Sequence, residues 1–307
     1  MDLALQVIVL FQFFLGITVN GFIVGVFFTQ WITGGNLNTI DTILIVVGLM
    51  RFLWHWVISL TNLLPDIELP VSATFISFIS SLLNWNSFGL VSVLYVTYCV
   101  KISNYNNAVF LYIKLRISKT LKWLTVATLV INLAYSVISV PWDVVLSHQN
   151  NSDILLGNSP FIITGITTDY SFVLFCIVFS ISFVIRLASM LALIHSLRRH
   201  MQQIQCSGTP IQNPHLAAHL RVIKVLILFL SLYIMYFTSL IIGSLDKYKT
   251  KRLSIPYVII LCFYPSVHSG VLIFSNRKLR KAGLAMYHRS INCAKTRKPN
   301  TQIQNTV

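Results

Sequence analysis

Charged side chains are scarce in this sequence. Only 10% of its 307 residues are Asp, Glu, Lys or Arg, whereas 55% are hydrophobic and the mean hydropathy is +0.74. A soluble domain carries about 25% charged residues, so these few charges would not keep such an apolar chain in solution. The length would allow two soluble domains, but the composition favours one bundle embedded in a membrane.

Acidic residues are scarcer still, with 8 Asp and Glu against 23 Lys and Arg and a net charge of +15. The apolar stretches contain almost no carboxylates, which argues against the charged relay of a proton-coupled transporter. HExxH, GxSxG and paired intramembrane aspartates are all missing, so we expect no enzymatic activity and no cofactor. The basic residues lie between apolar stretches and in the tail, so they do not indicate nucleic-acid binding.

Cysteine is also sparse, with five residues in the chain. None of them falls in a predicted extracellular loop, so we expect no extracellular disulfide. No CxxC pair is present, so the sequence predicts no metal site. The ordinary interpretation of these cysteines is small apolar side chains within helices.

Long apolar runs are what the sequence has in abundance. A helix needs about 20 apolar residues to cross a bilayer. The first run lacks preceding basic residues and an A-x-A-like cleavage site, so we expect a retained helix and not a signal peptide. We predict an all-α membrane protein, a seven-transmembrane helix bundle. Its spans are 5–29, 41–61, 74–100, 121–142, 170–194, 222–244 and 255–275.

Basic residues predict the orientation of this bundle. They gather after the third and fifth spans and in the C-terminal tail, and the positive-inside rule puts these segments in the cytoplasm. The N-terminus is then extracellular and the C-terminus cytoplasmic, although a basic cluster at 247–252 falls in the last extracellular loop. We divide the chain into a transmembrane domain, 1–276, and a basic cytoplasmic tail, 277–307. The tail is expected to form a short amphipathic helix with apolar contacts from Leu279, Ala282, Leu284 and Met286.

One short motif bears on the topology independently of charge. Asn150-Asn151-Ser152 is an N-glycosylation sequon, which is useful only on the luminal side. The predicted topology puts it in the second extracellular loop, so we expect Asn150 to carry a glycan. Chance occurrence in a polar loop is the alternative.

Two arginines lie inside predicted spans, where an ionisable group costs at least about 2.5–3.5 kcal/mol at a helix centre. Arg51 needs acceptors such as backbone carbonyls, Asn20 on the first span or polar groups on the seventh. It is either a hub that rearranges on activation or static glue between helices. Arg186 has no acidic residue in a helix core to pair with. An acidic ligand, a hydrated cavity or snorkelling would each accommodate it, and we expect a hydrated crevice facing the bundle interior.

The third span carries two amides around an indole, Asn84-Trp85-Asn86. Asn side chains in bundles commonly form hydrogen bonds between helices, and they also line cavities. We expect one of the two amides to line a cavity and the other to pack. Such a cavity suits a ligand-gated receptor, and it also suits a small-molecule transporter or channel with the same helix count, which hydropathy alone does not separate.

Six motifs follow one another at the cytoplasmic ends of the spans. They are Asn20-Gly21; Arg51 before Phe-Leu-Trp; Tyr98, Lys101 and Asn104; Ser196-Leu197 with His200; Ala218-His219 with Lys224; and Pro265, His268-Ser269, Asn276 and Lys278-Leu279. Together they resemble the bitter taste receptors (taste receptor type 2) over nearly the whole chain. The rhodopsin-like patterns Asp-Arg-Tyr, Cys-Trp-x-Pro and Asn-Pro-x-x-Tyr are absent. Vomeronasal type 1 pheromone receptors are the nearest alternative, and the motifs of the sixth and seventh spans weigh against them.

Three positions depart from the pattern of the family. Ser182-Phe183 stands where a proline-phenylalanine pair is usual, and Thr97 stands where phenylalanine is common. Ser80 occupies a place where a tryptophan often lines the ligand cavity. The first two leave the resemblance intact, whereas the third removes an aromatic platform and so bears on ligand range.

The resemblance implies a G-protein-coupled receptor that binds small bitter compounds in the outer half of the bundle. Asn84 and Tyr236 are the ligand-binding residues that it implies most directly, with Ser80, Ser77 and Val258 as weaker candidates by position. A pocket of this kind is mostly apolar with a few orienting polar groups. The alternative for Tyr236 is a packed aromatic ring whose hydroxyl bonds a neighbouring helix.

The resemblance also implies how the signal leaves the bundle. An agonist must bind the active state more tightly than the resting state. Asn20, Arg51, His268 and Ser269 form the expected activation hub. The partner is a heterotrimeric G protein of the gustducin or inhibitory type, and the receptor is a multi-pass protein of the plasma membrane. The residues expected to face the G protein, or else lipid headgroups, are Tyr98, Lys101, His200, His219 and Lys224.

Overall fold

The computed structural model describes residues 3–63, 70–103, 108–150, 169–206, 214–246 and 254–296. Within these ranges every regular element is helical, as the sequence predicts. The helices are α1 (Leu3–Ile32), α2 (Thr39–Leu63), α3 (Pro70–Ile102), α4 (Ala108–Leu115), α5 (Ile117–Asn150), α6 (Asp169–Cys206), α7 (Pro214–Asp246), α8 (Ser254–Ser275) and α9 (Arg277–Thr296).

Six of these helices are long and apolar enough to cross a membrane: α1, α2, α3, α5, α6 and α7. Each contains one of the predicted apolar spans, which confirms a multi-pass helical membrane protein. The seventh predicted span, 255–275, lies within α8, which has 22 residues and packs against α1 and α7.

The helices extend beyond the apolar stretches that predicted them. The fifth span was predicted to end at 194, but α6 continues to Cys206. The fourth was predicted to end at 142, but α5 continues to Asn150, so that residue ends a helix and does not lie within a loop. The sequence analysis does not predict helix α4. Hydrophobicity marks where a helix leaves the apolar part of the membrane, whereas backbone hydrogen bonding continues into the polar segment.

The central helix of the bundle is α3, which packs against α2, α5 and α6. In the most apolar window of α3, 78% of the residues are buried, against 22–50% in the other five candidate spans. The remaining helices therefore present one side to α3 or to each other. Their outward sides carry large exposed apolar residues such as Phe14, Leu49, Val130 and Ile181, as expected of surfaces that face lipid.

Two glycines allow close approach between helices. A Cβ atom on Gly89 of α3 would lie 2.3 Å from the side chain of Thr128 and 2.6 Å from that of Asn132, both on α5. A Cβ atom on Gly16 of α1 would lie 2.1 Å from the ring of His55 on α2. Small residues at such contacts bring backbones together in membrane bundles. Gly16 and Gly89 thus set the α1–α2 and α3–α5 spacing.

The N-terminal ends of α2 and α9 are held together by capping and charge. Asn38 Oδ1 accepts from the backbone N–H of Asp41 at 2.9 Å, and the backbone N–H of Asn38 donates to Asp41 Oδ2 at 3.2 Å, which forms a capping box. The same carboxylate accepts from Lys278 Nζ at 2.6 Å. Asn276 Oδ1 caps α9 by accepting from the N–H groups of Lys278 and Leu279.

The described part of the tail, 277–296, is helix α9, and the side chains expected to make apolar contacts there divide into two groups. Leu279 is fully buried, and Ala282 is partly buried. Leu284 is 53% exposed and Met286 is 59% exposed, so these two side chains do not contact the bundle extensively. The buried Leu279 fixes the first turns of α9 against the bundle.

Candidate functional site

A buried cluster of polar side chains is centred on Arg51 of α2. Its Nη1 donates to three acceptors on α8: Ser269 Oγ at 2.8 Å, His268 at 3.1 Å and the Pro265 carbonyl at 3.2 Å. Ser269 Oγ in turn donates to Asn20 Oδ1 on α1 at 2.7 Å. The structure therefore brings together Asn20, Arg51, His268 and Ser269, and it gives Arg51 the backbone and α8 acceptors that the sequence predicts.

The tautomer of His268 follows from its two neighbours. Guanidinium nitrogens donate only, so Nδ1 of His268 accepts the hydrogen bond from Arg51. The proton then resides on Nε2, which lies 3.0 Å from the hydroxyl of Tyr95 on α3. A continuous hydrogen-bonded chain thus runs from α1 through α8 and α2 to the central helix.

A second layer of this cluster involves His55, one turn after Arg51. Its Nδ1 donates to the Arg51 carbonyl at 2.6 Å, which leaves Nε2 as an acceptor. Nε2 lies 3.0 Å from both Gln12 Nε2 and Ser266 Oγ. The amide nitrogen of Gln12 also donates to the Cys262 carbonyl and to Ser266 Oγ. This layer joins α1, α2 and α8 a second time.

Arg186 of α6 is fully buried and bonds to the central helix. Its Nη2 donates to the Phe88 carbonyl at 2.6 Å and to Ser92 Oγ at 2.9 Å, and its Nε donates to the same hydroxyl at 3.2 Å. Nη1 lies 3.4 Å from the Tyr264 hydroxyl on α8, and the guanidinium carbon lies 3.9 Å from the ring centroid of Tyr233 on α7. One side chain connects four helices.

The sequence predicts that Arg186 faces the bundle interior and lies in a hydrated crevice. The first part of this prediction is correct and the second is wrong. The side chain faces the bundle interior, but its exposed fraction is 0%, so it does not lie in a hydrated crevice. Hydroxyl and carbonyl acceptors and an aromatic face solvate the charge in place of water. Cation–π contacts of this kind are worth about 2 kcal/mol or more when desolvated.

Tyr236 lies in a stack of aromatic rings next to Arg186. Its ring centroid is 4.6 Å from that of Phe88 on α3 and 4.5 Å from that of Tyr264 on α8. Phe179 of α6 packs against both Phe88 and Tyr236. Phe88, Tyr236 and Tyr264, which we call the aromatic stack, thus join α3, α7 and α8 directly beside the guanidinium of Arg186.

The predicted polar residues of α3 share one face above this stack. Ser77, Ser80, Asn84 and Phe88 are spaced by three or four residues, which aligns them along a helix. All are buried, and the Ser80 hydroxyl and the Asn84 amide nitrogen have no hydrogen-bond partner in the described structure. By contrast, the amide nitrogen of Asn86 donates to the Leu82 carbonyl of its own helix. The unpartnered atom of Asn84 is therefore its amide nitrogen, a donor, whereas that of Asn86 is its amide oxygen, an acceptor.

A small void of about 10 Å³ lies between α3, α5 and α6, lined by Trp85, Tyr135 and Phe179 among others. Drug-sized pockets measure about 300–1,000 Å³, so this void would not admit an agonist. Asn84 and Tyr236 are linked through Phe88, one turn below Asn84. The side chain of Val258 lies outside the described residues.

The predicted cytoplasmic residues lie at the ends of α3, α6 and α7. Lys101, His200 and Lys224 are exposed, and Tyr98 is partly buried. Tyr98 packs against Leu193, Ile194 and Leu197 of α6 and their neighbours on α7. The side chain of His219 is outside the described part of the chain.

Sequence reasoning missed several members of these clusters. Tyr95, Tyr264 and Ser92 complete the contacts of His268 and Arg186, and Gln12 and His55 form the second layer. Tyr and Ser are ordinary residues in apolar helices and so gave no signal. His55 and Gln12 could have been assigned to the buried cluster from the sequence, because polar side chains within a span usually face the bundle interior.

Comparison with known proteins agrees with this architecture. The family model described as Taste receptor protein (TAS2R) matches residues 1–290. Taste receptor type 2 member 41 of Pan troglodytes is 34% identical over 282 residues, covering 87% of this chain and 89% of the relative.

More distant relatives match as fully. Member 41 of Rattus norvegicus is 30% identical over 275 residues, covering 87% of this chain and 89% of the relative. Taste receptor type 2 member 13 of Pongo pygmaeus is 28% identical over 291 residues, covering 91% and 94%. A match of this extent sets aside the vomeronasal, transporter and channel alternatives, and the enzyme classes with them. The chain belongs to the taste receptor type 2 family, the bitter taste receptors that couple to G proteins.

Proposed function

We propose that this receptor binds small bitter compounds between α3 and α7, on the extracellular side of the aromatic stack. The observation that carries the proposal is the polar face of α3. The unpartnered Asn84 amide and Ser80 hydroxyl lie directly above Phe88, which packs on Tyr236. Two unused polar groups above an aromatic floor are what a mostly apolar ligand with one or two polar substituents requires.

Ligand entry on this proposal needs the helices to separate, because Ser80, Asn84 and Tyr236 are only 2%, 3% and 2% exposed. The rings of the stack would part to admit the agonist, and Arg186 touches two of them. Its bonds to Phe88 and Tyr264 would then rearrange together with the agonist site. An agonist that favours this arrangement shifts the population towards the active state.

From Arg186 the change reaches Tyr95, whose ring lies 5.9 Å from the guanidinium carbon and whose hydroxyl bonds His268. We therefore infer that Asn20, Arg51, His268 and Ser269 act as the activation hub. The cytoplasmic ends of α3, α6 and α7 would then open towards a heterotrimeric G protein of the gustducin or inhibitory type. Tyr98, Lys101, His200, His219 and Lys224 are the proposed contacts.

We propose seven spans, with α8 as the seventh, an extracellular N-terminus and a plasma-membrane location. The exposed basic residues of α9, including Arg280 and Lys281, would then meet anionic lipid headgroups, while Met286, on the same helix face as Leu279 and Ala282, enters the membrane. On this topology Asn150 is extracellular and glycosylated. The transmembrane domain is 1–276 and the tail 277–307.

The test is the intracellular calcium response of cells that express the receptor with a gustducin chimera and meet a broad panel of bitter compounds. Asn84→Ala is expected to raise EC50 about tenfold, because one hydrogen bond of roughly 1.4 kcal/mol is lost. Asn86→Ala is the matched control, since that residue is equally buried but its amide nitrogen already donates to the Leu82 carbonyl and its position lies on another face of α3. Equal effects of the two variants, at equal surface expression, would refute the pocket.

A further inference from the structure

A second void lies between α1, α2 and α8, on the side of the bundle where α1 begins and α2 ends. Its volume is about 10 Å³, roughly the room that one water molecule needs. Apolar side chains such as Ile8 and Ile58 form much of its lining. Gln12, Trp54 and His55 supply most of its polar groups.

Two of these polar groups are buried without a partner in the described structure. They are Gln12 Oε1 and Trp54 Nε1, and the two residues are only 4% and 3% exposed. A buried polar atom left unsatisfied is destabilising by roughly 1–3 kcal/mol. The two atoms are complementary, because the amide oxygen accepts a hydrogen bond and the indole N–H donates one.

The orientation of the Gln12 amide is fixed by its other contacts. Its nitrogen donates to the Cys262 carbonyl and lies 3.0 Å from both His55 Nε2 and Ser266 Oγ. A carbonyl accepts only, so exchanging the amide nitrogen and oxygen would put two acceptors together. The oxygen is therefore the free atom.

We propose that this void binds one hydroxyl group, which donates to Gln12 Oε1 and accepts from Trp54 Nε1–H. A water molecule and a hydroxyl substituent of an agonist share this chemistry, and the void is too small for a larger group. The site adjoins the pocket proposed between α3 and α7, because Trp54 and Cys262, which line the void, belong to the same buried cluster as Phe88 and Tyr236. In the agonist form of the proposal, the hydroxyl belongs to an agonist, and this form rests on the proposed function. In the water form, the hydroxyl belongs to a water molecule, and this form does not rest on the proposed function.

Occupancy of this site would act on the Arg51 cluster. The Gln12 amide that receives the hydroxyl also bonds His55, and His55 donates to the Arg51 carbonyl at 2.6 Å. Only two hydrogen bonds separate the site from the backbone of Arg51. A group bound here therefore stabilises the arrangement of α1, α2 and α8 that holds Arg51 against Ser269.

A double-mutant cycle on the purified full-length receptor without agonist tests the water form. Trp54→Phe removes the donor and keeps an aromatic ring, and Gln12→Met removes the acceptor. With a bridging water, Trp54→Phe lowers Tm by about 2–4 °C, the shift expected for a hydrogen bond of this size. In the Gln12→Met background the same change has little further effect, because the bridge is already lost. Trp56→Phe, an exposed tryptophan on the same helix, is the matched control.

The agonist form is tested in the calcium assay with a bitter phenol from the panel and its methyl ether. If the agonist-free cycle shows no coupling between Trp54→Phe and Gln12→Met, but Trp54→Phe raises EC50 for the phenol about tenfold and not for the ether, the bound hydroxyl belongs to the agonist. If the two substitutions change Tm additively and Trp54→Phe leaves both EC50 values unchanged, the site is refuted. Additive changes are expected of two side chains that share no bound group, because the volume lost from tryptophan to phenylalanine lowers Tm equally in both backgrounds. Loss of all response in the parent receptor would count against the proposed function, not against the Tm cycle.

A high-resolution structure of the unaltered receptor gives a second measurement if the variants fail to reach the membrane. Density within hydrogen-bond distance of both Gln12 Oε1 and Trp54 Nε1 supports the site. A void that is dry both in the agonist-free receptor and in its complex with the phenol overturns it.

Discussion

Arg186→Met is expected to be better tolerated by the fold than Arg186→Lys, although lysine is the closer chemical relative of arginine. Lysine keeps the buried charge but loses the planar fork that reaches Phe88, Ser92 and Tyr264 at once. Losing two charge-assisted hydrogen bonds destabilises by about 3–6 kcal/mol. No described carboxylate lies against the side chain to compensate the remaining charge.

Methionine removes the charge together with its desolvation penalty and retains much of the volume. The acceptors that it abandons can pair with each other, because Ser92 Oγ already lies 3.3 Å from the Phe88 carbonyl. Among the hydrogen-bond acceptors only the Tyr264 hydroxyl loses its contact outright, which corresponds to about 1 kcal/mol. The cation–π contact with Tyr233 is also lost, but the methionine thioether can contact the same ring, and removing the charge removes its desolvation cost. We therefore expect a Tm about 6 °C or more below the parent for the lysine variant, and at most about 4 °C below for methionine.

Thermal unfolding in detergent, followed with a thiol-reactive dye, measures this difference, because Cys99 and Cys262 are buried and become reactive on unfolding. Ile185→Met, a change on the lipid-facing neighbour, is the control. A methionine variant as unstable as the lysine variant would show that the lost hydrogen bonds outweigh the burial of charge. The agonist response should fall in both Arg186 variants, since both break the link between α3 and α8.

Other variants test separate features. Gly89→Ala should lower stability by about 1–3 kcal/mol because its methyl group would lie 2.3 Å from an α5 side chain, whereas Gly25→Ala, with open space around it, should be neutral or stabilising in the same unfolding assay. Asp41→Asn should speed hydrogen exchange in the first turns of α9 through loss of its ion pair with Lys278, and unchanged exchange would contradict that role. Ser269→Ala should reduce agonist-evoked calcium signalling at preserved surface expression, and a normal dose–response curve would remove it from the hub.

The helices that cross the membrane were predictable because the bilayer imposes a length and an apolar composition that the sequence displays directly. The ends of these helices were not predictable, because a polar segment beyond the membrane can continue a helix. Helices α5 and α6 both do so. The pairing of Asp41 with Lys278 was also beyond reach, since residues so far apart in sequence meet only after the bundle forms.

The contacts of Arg51 were predictable for a different reason. Few polar side chains exist in these spans, and a buried cation must find acceptors among them. The surroundings of Arg186 were harder to foresee, because its best acceptor is the main-chain carbonyl of Phe88. Every helical residue has a carbonyl, so residue types alone give no signal that this one accepts an additional donor.

The buried guanidinium groups also place positive charge inside the electric field of the membrane. Both buried arginines, Arg51 and Arg186, lie within the six candidate spans. The only carboxylate in these spans is that of Asp41, near one end of α2. Moving one charge across the whole bilayer is worth about 2.3 kcal/mol per 100 mV, so a shift of about 3 Å in roughly 30 Å is worth about 0.2 kcal/mol. Their hydrogen bonds to α3 and α8 limit larger displacements. The response of this receptor should therefore vary by about twofold at most as the cell depolarises, which makes it a sensor of chemistry and not of voltage.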